Sequence, residues 1–389
     1  SKNSVVVGYQ NNTAGGPSDE SGKIAYGAAN EATRESSLAV GNQNHATNKS
    51  ASAIGVGNTA SGEASVAMGN SSTASGDRSI AIGSGANATQ GAALAIGRQA
   101  EATGSSAVAL GYLNKATNNV AVGVGVNNKV SGEGATSVGS SNTVTGDNSS
   151  VLGRQNTVDG ASVAGAVAVG YKNKASGDRA IAIGEGNDSQ KEDTITMGYN
   201  NTASVGGAVA IGQDNVANSG GNAGNTMIAI GRQNEATAQD TIAIGREAKA
   251  KNDLSVAIGN RTEATANAAI AIGTNGAPSG GNTYKTTASG FAAVAIGMQA
   301  NSSGTASTAV GGKSSATANG ASALGQGSEA SAASATALGK EAKASVADGV
   351  ALGSTSKATV DKGVKGFNPA EDRDNKYGGL AGTAQTSTL

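Results

Sequence analysis

Short segments in which large apolar residues alternate with alanine, each ending in glycine, recur along the chain. Such segments include Leu38-Ala39-Val40-Gly41, Val66-Ala67-Met68-Gly69, Ile80-Ala81-Ile82-Gly83, Leu94-Ala95-Ile96-Gly97 and Val108-Ala109-Leu110-Gly111. The terminal glycines, called anchor glycines below, follow one another in steps of 14 residues from Gly27 to Gly111. The same step returns in three later stretches, Gly170–Gly212, Gly231–Gly273 and Gly297–Gly353. A fixed period repeated this often is typical of a solenoid.

A second signal completes each 14-residue unit. Alanines such as Ala60 and Ala74 lie five residues after an anchor glycine, and turn residues such as Ser61-Gly62-Glu63 follow them. Alternation in both halves with two turn clusters predicts two short strands and two turns per unit. A helix pair does not fit, since helical arrays need roughly 33 or more residues per repeat. The sequence therefore predicts an all-β fold, a parallel β-roll or β-solenoid of 14-residue repeats with about two dozen turns.

The strand pattern also predicts which side chains lie inside the roll. Successive residues of a strand face opposite sides, so Ala81 faces one way while Ile80 and Ile82 face the other. The second strand offers alanine at its regular position, as at Ala74. We therefore expect a thin interior lined by alanine methyl groups, with the larger aliphatic side chains pointing outward.

This assignment leaves an apolar stripe along one outer sheet. Each large side chain is worth roughly 1.5–3 kcal/mol when fully buried, and contiguous apolar patches of this size are not left in water. A second copy related by cyclic symmetry would cover the stripe. The predicted interface residues are Val66, Met68, Ile80, Ile82, Leu94, Ile96, Val108, Leu110, Ile181, Ile183, Ile242, Ile244, Val256, Ile258, Ile270 and Ile272. The alternative is a monomer with the faces reversed and the large residues inside, although the second strand offers them few large apolar partners.

The breaks in the period predict insertions. The step between anchor glycines is longer than the regular one in four places, which puts extra residues in segments near 9–26, 154–169, 213–230 and 274–296. Between Gly111 and Gly139 the glycine spacing is irregular, because the step from Gly111 to Gly123 is short and the step from Gly123 to Gly139 is long. We interpret this as a turn that is displaced along the chain. Pro17 and Pro278 fall in breaks and Pro369 beyond the last regular turn, as a continuous sheet requires. Insertions in a solenoid leave as lateral loops, which makes these segments candidate recognition surfaces.

Composition and charge exclude several function classes. The 389 residues include 60 glycines and only 2% aromatics, which argues against a thick globular core. The formal charge of −1 offers no field for nucleic acid, and the lack of cysteine excludes disulfides, zinc fingers and thiol catalysis. The sequence contains no apolar run long enough to cross a bilayer.

Candidate catalytic and metal-binding residues are sparse. His45 is the single histidine and lies beside a turn, without the partners that a triad or metal site needs. Gly311-Gly312-Lys313-Ser314 lacks the first glycine of a phosphate loop, and the calcium-binding nonapeptide pattern does not occur. Asp77-Arg78 and Asp178-Arg179 are expected on solvated outer turns. Tyrosines that follow anchor glycines are expected at corners, either as adhesive contacts or in lateral packing: Tyr9, Tyr112, Tyr171 and Tyr199. We predict no enzyme activity, cofactor or metal.

The segment Ser65-Val66-Ala67-Met68-Gly69-Asn70-Ser71-Ser72 resembles the S-V-A-I-G-x-x-S repeat found in the heads of YadA-like trimeric autotransporter adhesins. The segments Ser79-Ile80-Ala81-Ile82-Gly83 and Ser255-Val256-Ala257-Ile258-Gly259 resemble it too. The resemblance implies a left-handed parallel β-roll, a homotrimer packed through its Val/Ile faces, and display outside a bacterial outer membrane. Residues 1–353 would form the head, and residues 354–389 resemble an irregular insertion leading to a neck. We therefore interpret the chain as a fragment, whose stalk and membrane anchor lie elsewhere.

The resemblance also implies a function in attachment. The expected partners are host matrix proteins of the collagen, fibronectin or laminin class, or host cell receptors, with autoagglutination or biofilm formation as further roles in virulence. The residues that contact the ligand are not identified by the sequence. The alternative is a β-solenoid that binds ice or polysaccharide through a regular threonine face, since Thr occurs near Thr59, Thr73, Thr89 and Thr103. A polysaccharide lyase is least favoured, because it needs a cluster of carboxylate and basic groups on one face.

Overall fold

The computed structural model describes residues 3–15, 20–160, 163–218, 226–274 and 285–360. All regular secondary structure in these residues is β-strand, and they contain no helix. The chain divides into two compact units, Ser1–Tyr199 and Asn200–Leu389. Each unit is built from coils that contain one longer and one shorter strand, which stack into a long-strand sheet and a short-strand sheet.

The described part of the first unit contains the following strands. The long-strand sheet comprises Val5–Tyr9, Ile24–Ala28, Leu38–Asn42, Ser52–Val56, Val66–Asn70, Ile80–Ser84, Leu94–Ile96, Val108–Tyr112, Val122–Val126, Thr136–Ser140, Ser150–Arg154, Val167–Tyr171, Ile181–Glu185 and Ile195–Tyr199. The short-strand sheet comprises Glu31–Ala32, His45–Ala46, Thr59–Ala60, Thr73–Ala74, Asn87–Ala88, Glu101–Ala102, Lys115–Ala116, Lys129–Val130, Thr143–Val144, Thr157–Val158, Lys174–Ala175 and Asp188–Ser189.

The described part of the second unit repeats this organisation. Its long-strand sheet comprises Val209–Gln213, Ile228–Arg232, Ile242–Arg246, Val256–Asn260, Ile270–Thr274, Val294–Ile296, Thr308–Val310, Ser322–Leu324, Thr336–Leu338 and Val350–Leu352. Its short-strand sheet comprises Thr202–Ala203, Val216–Ala217, Glu235–Ala236, Lys249–Ala250, Thr262–Ala264, Thr286–Ala288, Asn301–Ser302, Ser315–Ala316, Glu329–Ala330, Lys343–Ala344 and Lys357–Ala358.

Equivalent residues of successive coils pair in parallel. Ile80 is in register with Val66 in the preceding coil and with Leu94 in the following one, and all three occupy the same position of the repeat. The short strands pair in the same way, as Ala74 does with Ala88. The predicted parallel β-solenoid of 14-residue repeats is therefore confirmed, while its left-handed winding remains a prediction.

The interior of the roll is made of small side chains. Ala81 in the long strand, Ala88 in the short strand and Ala93 in the turn before the next long strand are all buried, whereas Ile80 and Ile82 on the opposite side are partly exposed. The predicted methyl-lined interior is confirmed, and the alternative with reversed faces is wrong. The thin core explains why the chain needs so few aromatic residues.

The anchor glycine is required by contact with the next coil. Gly69 has a φ of 129°. A Cβ atom at this position would lie 2.0 Å from the carbonyl oxygen of Gly83, far inside van der Waals contact. Only glycine allows the strand end to approach its neighbour this closely.

The structure corrects one detail of the predicted register. Gly111 pairs with Gly125 and Gly125 with Gly139, so the anchor step stays regular and no turn has slid. Gly123, which produced the apparent short step, instead takes the inward position that alanine occupies elsewhere. A Cβ atom at Gly123 would lie 3.6 Å from Cγ2 of Val130, an ordinary contact, although Val130 is larger than the usual alanine of the short strand.

Regular strands occupy parts of the predicted insertion segments. Thr157–Val158, Val216–Ala217 and Thr286–Ala288 belong to the short-strand sheet. Coils continue as far as Lys357–Ala358, and residues 361–389 lie outside the described residues. Residues 16–19, 161–162, 219–225 and 275–284 also lie outside them, as do all three prolines, Pro17, Pro278 and Pro369.

Candidate interaction surfaces

The apolar stripe lies on the outer face of the long-strand sheet in each unit. Its members lie at two positions of each repeat, one of them three residues before the anchor glycine and the other one residue before it. Ile80 and Ile82, for example, flank the buried Ala81. All the predicted interface residues are at least partly exposed in this stripe: Val66, Met68, Ile80, Ile82, Leu94, Ile96, Val108, Leu110, Ile181, Ile183, Ile242, Ile244, Val256, Ile258, Ile270 and Ile272. Polar residues replace some members, as Ser52 and Thr308 do. Its role as an interface between copies remains a prediction.

A ladder of asparagine side chains runs along one inner corner of the roll. Asn44 is fully buried, and its Nδ2 donates to the carbonyl oxygens of Val40 at 3.0 Å and of Gly55 at 2.7 Å. It also lies 3.0 Å from Oδ1 of Asn30 in the preceding coil. In turn, Oδ1 of Asn44 accepts the backbone N–H of Asn58 at 3.1 Å. Each asparagine thus satisfies backbone groups that the corner leaves unpaired.

The turn pattern in the sequence does not by itself reveal this ladder. The signal of its asparagines was available, because each stands three residues after an anchor glycine, as Asn44 follows Gly41 and Asn58 follows Gly55. In the first unit the ladder members are Asn11, Asn30, Asn44, Asn58, Asn114, Asn128, Asn142, Asn156, Asn173 and Asn187. In the second unit they are Asn201, Asn215 and Asn234.

The outer face of the short-strand sheet carries ion pairs between neighbouring coils. Lys115 Nζ lies 2.6 Å from Glu101 Oε2, and Lys343 Nζ lies 3.0 Å from Glu329 Oε2. His45 stands in the same column, at the start of its short strand, with Nδ1 2.9 Å from Glu31 Oε2. The lone histidine therefore sits on a strand face beside a carboxylate and not in a solvated turn. Exposed pairs of this kind contribute roughly 0–1 kcal/mol each.

Thr59 and Thr73 also belong to this column, as first residues of their short strands. Thr89 and Thr103 do not, because each follows the end of its short strand. Glutamate, lysine and asparagine occupy the column between and beyond the threonines. The mixed column lacks the regular threonine array on which an ice-binding face depends.

Two carboxylates of the second unit have perturbed pKa values. Burial acts to raise the pKa of Glu235, but the hydrogen bond and charge of Lys249 and the charge of Lys251 outweigh it, so the pKa is lowered overall. Arg261 Nε lies 2.7 Å from Oε2 of Glu247 and lowers the pKa of Glu247 through this hydrogen bond. Both arrangements are structural cross-links between charges of the roll and contain no nucleophile or base aimed at a pocket.

The outer turns hold charges that connect coils. Arg179 contacts Oδ2 of Asp178 through Nη1 at 2.5 Å and Oδ1 of Asp193, in the next coil, through Nε at 2.7 Å. The hydrogen bond to Asp193 raises the pKa of Arg179, and the same bond lowers the pKa of Asp193. Asp77 accepts the backbone N–H of Glu63 at 3.0 Å. The predicted solvated turn charges thus also tie neighbouring coils together.

The tyrosines that follow anchor glycines are the last residues of long strands, not corner residues: Tyr9, Tyr112, Tyr171 and Tyr199. The guanidinium carbon of Arg154 lies 4.6 Å from the ring centroid of Tyr171, and that of Arg98 lies 5.4 Å from Tyr112. Hydrogen bonds from Lys172 and Arg154 lower the pKa of Tyr171. Each of these contacts joins side chains at one end of the long strands.

The described residues contain no group of three or more His, Asp or Glu side chains that could hold a metal ion. Gly311-Gly312-Lys313-Ser314 forms the corner after the strand Thr308–Val310, as expected for a repeat turn. The part of the chain that the structure describes contains no helix that is long and apolar enough to cross a membrane.

The fold and these surfaces define a class: a repeat-built β-solenoid whose outer faces are available for interaction. The model of the YadA head domain repeat, which spans two copies of the repeat, matches residues 32–58, 46–72, 60–86, 88–114, 131–156, 164–187, 190–215, 228–248, 250–275, 288–314, 302–328, 316–342 and 330–356. The chain belongs to this family and is an adhesin-type surface protein. A search of curated proteins found none that matches.

Proposed function

We propose that the chain forms the head of a homotrimeric adhesin, displayed outside a bacterial outer membrane, that attaches the cell to host matrix proteins or host cells. The observation that carries the proposal is the apolar stripe in each unit. Its members stack in register over successive coils, as Val66, Ile80 and Leu94 do.

The energetics of the stripe support association of copies, and the order of three comes from the family resemblance. Met68 and Ile96 are each 37% exposed in the single chain, and Leu338 is 43% exposed. Since burial of a large aliphatic side chain is worth roughly 1.5–3 kcal/mol, covering even part of the stripe contributes more than most single contacts can. Three copies that face one axis would cover all members of the stripe at once.

The remaining outer surface supports recognition through many weak contacts. The short-strand sheet presents charged and hydroxyl side chains in repeated columns, as at Glu101, Lys115 and Lys129. Three copies of such a surface would engage a repetitive partner such as collagen, fibronectin or laminin through avidity. We propose that the same surface also mediates contacts between neighbouring cells in autoagglutination or biofilm formation.

Binding to immobilised collagen, fibronectin and laminin tests the proposal, with the oligomeric state measured first by sedimentation. The intact trimer is expected to bind at least ten-fold more tightly than peptides that span one or two coils. Equal binding by the peptides, or a stable monomer in sedimentation, contradicts the proposal.

A deletion separates the coils from the insertions. Removal of residues 275–284 restores the regular step of the repeat between Gly273 and Gly297. Loss of binding by the trimeric deletion variant assigns recognition to this insertion, and retained binding assigns it to the coils.

A further inference from the structure

One coil of the first unit exposes a large apolar side chain at each end of its long strand. We call the position five residues before an anchor glycine the leading edge and the position one residue after it the trailing edge. In the coil of Gly125 these positions are Val120, which is 56% exposed, and Val126, which is 45% exposed. Both residues lie outside the alanine core, and each is more exposed than the stripe members Met68 and Ile96.

Val120 is also strained. Its φ is 56°, a left-handed conformation that is rare for β-branched residues and unfavourable for them. Most other leading-edge positions in the described residues carry glycine or a small or polar residue in this conformation, such as Ser106 and Gly134, and Leu254 of the second unit is a large apolar exception. A strained and exposed valine adds nothing to the stability of the single chain.

The second unit contains the same combination. In the coil of Gly297, Phe291 precedes the leading-edge residue Ala292 and is 59% exposed, while Met298 at the trailing edge is 41% exposed. Leu254 is 59% exposed at the leading edge of another coil, where the trailing residue is Asn260. Two coils, one in each unit, therefore carry large exposed apolar side chains near both ends of the long strand, at the leading edge itself in the coil of Gly125 and one residue before it in the coil of Gly297.

Cyclic symmetry brings these two edges together. If the long-strand sheets of several copies surround one axis, the leading edge of each sheet adjoins the trailing edge of the next, which is a heterologous contact that closes into a ring. A pure rotation does not shift a copy along the axis. A leading-edge residue therefore meets the trailing-edge residue of the same coil in the neighbouring copy.

We infer that Val120 packs against Val126 of the adjacent copy, and Phe291 against Met298 of the adjacent copy, and that these contacts set the axial register of the assembly. The inference rests on the proposed homotrimer. The apolar stripe gives little preference for the level arrangement, because it repeats every coil and two copies that slip by one coil, about 4.8 Å, keep most of its contacts, although such a slip does not close into a ring. The two apolar edge contacts occur at single levels, so the same slip separates their members.

Cysteine pairs test the contact against a clean background, since the chain has no cysteine. The variant Val120→Cys with Val126→Cys in the full chain is oxidised at micromolar concentration and analysed by denaturing electrophoresis without reductant. Most of the protein is expected to run as a covalent trimer. A bond within one chain is excluded, because the strand Val122–Val126, which lies between the two positions, alone spans roughly 13 Å and a disulfide needs Cα atoms less than about 7 Å apart.

Shifted pairs provide the matched controls. Val120→Cys with Tyr112→Cys, and Val120→Cys with Ser140→Cys, place the second thiol at the trailing edge one coil below and one coil above. These variants and the two single variants are expected to give less than a tenth of the covalent trimer that Val120→Cys with Val126→Cys gives. Phe291→Cys with Met298→Cys is an independent pair in the second unit.

The outcomes separate this inference from the proposed homotrimer. Sedimentation of the uncrosslinked variants comes first, and a monomer contradicts both. The inferred register is overturned if a trimeric variant cross-links through a shifted pair or through like positions of a single variant. It is also overturned if neither same-coil pair cross-links. In each of these cases the homotrimer stands.

Discussion

Nδ2 of Asn234 lies 2.8 Å from Oδ1 of Asn215, although five extra residues separate their coils beyond the regular period. The asparagine ladder is therefore continuous across this insertion, and so it is at Asn30 and Asn11, which are 19 residues apart. In the sequence, the extra residues fall between the short strand Val216–Ala217 and the next long strand, Ile228–Arg232, after the ladder position Asn215. The contact between Asn215 and Asn234 at the inner corner is therefore kept across the insertion.

Substitution of Asn234 by alanine should destabilise the protein by about 2 kcal/mol, since it leaves buried backbone groups without partners. Nδ2 of Asn234 serves the carbonyl oxygens of Ile230 and Gly245, and its Oδ1 accepts the N–H of Ala248 at 2.9 Å. Asn267→Ala, at an exposed turn, is the control and should change stability by less than about 0.5 kcal/mol. Thermal melting compares the two, and equal melting temperatures would show that the ladder is dispensable.

Substitution by alanine should lower stability at Gly69 and raise it at Gly123. Gly69→Ala places a Cβ 2.0 Å from the carbonyl oxygen of Gly83 at a φ of 129°, and should cost about 3 kcal/mol or more. Gly123→Ala meets its nearest atom, Cγ2 of Val130, at 3.6 Å, which is ordinary contact. Because alanine restricts the unfolded chain, Gly123→Ala should stabilise by about 0.4–1 kcal/mol. Urea unfolding checks both signs, and destabilisation by Gly123→Ala would refute the assigned inward position.

Charges in the apolar stripe should prevent assembly without unfolding the roll. The triple variant Ile82→Asp, Ile96→Asp and Leu110→Asp affects nine side chains per trimer, each worth roughly 1.5–3 kcal/mol when buried. Sedimentation is expected to change from trimer to monomer, while the β-type circular dichroism is retained because these side chains lie outside the alanine core.

The matched control introduces three aspartates on the short-strand sheet at Thr59, Thr73 and Asn87, whose side chains face outward there. This control should remain trimeric. If both triple variants keep the mass of the wild type, the apolar stripe is not the interface.

Acid should weaken the pair of Glu247 and Arg261. The pKa of Glu247 is lower in the folded chain than in the unfolded chain, so its contribution is present above the unfolded pKa and is lost as pH falls through the folded pKa. Between about pH 5 and pH 3 the free energy of unfolding of the wild type should therefore fall by up to about 1 kcal/mol through loss of this pair. Glu247→Gln lacks the pair at every pH, so it should not show this part of the decrease. Melting temperatures across this range test the point, with Glu63→Gln on an exposed turn as the control. Parallel pH profiles for wild type and Glu247→Gln would contradict the expectation.

The amino-acid sequence by itself determined the solenoid, the period of its repeat, the inward alanines and the outward Val/Ile stripe. These features follow from alternation between neighbouring residues, as in Ile80-Ala81-Ile82, and local alternation is directly visible in a repeated sequence. The family resemblance followed from the same short segments, and the family match supports it.

Only the tertiary structure decided which glycine anchors a coil, because the choice between Gly123 and Gly125 depends on the approach of Gly139 from the next coil. It also decided that Asn44 forms part of a ladder, since the partners of its side chain lie 11 and 14 residues away. The edge positions Val120 and Val126 became visible for the same reason, because their exposure depends on the stacking of whole coils. Local sequence shows how a strand alternates, but contacts between coils are set by the register of the stack.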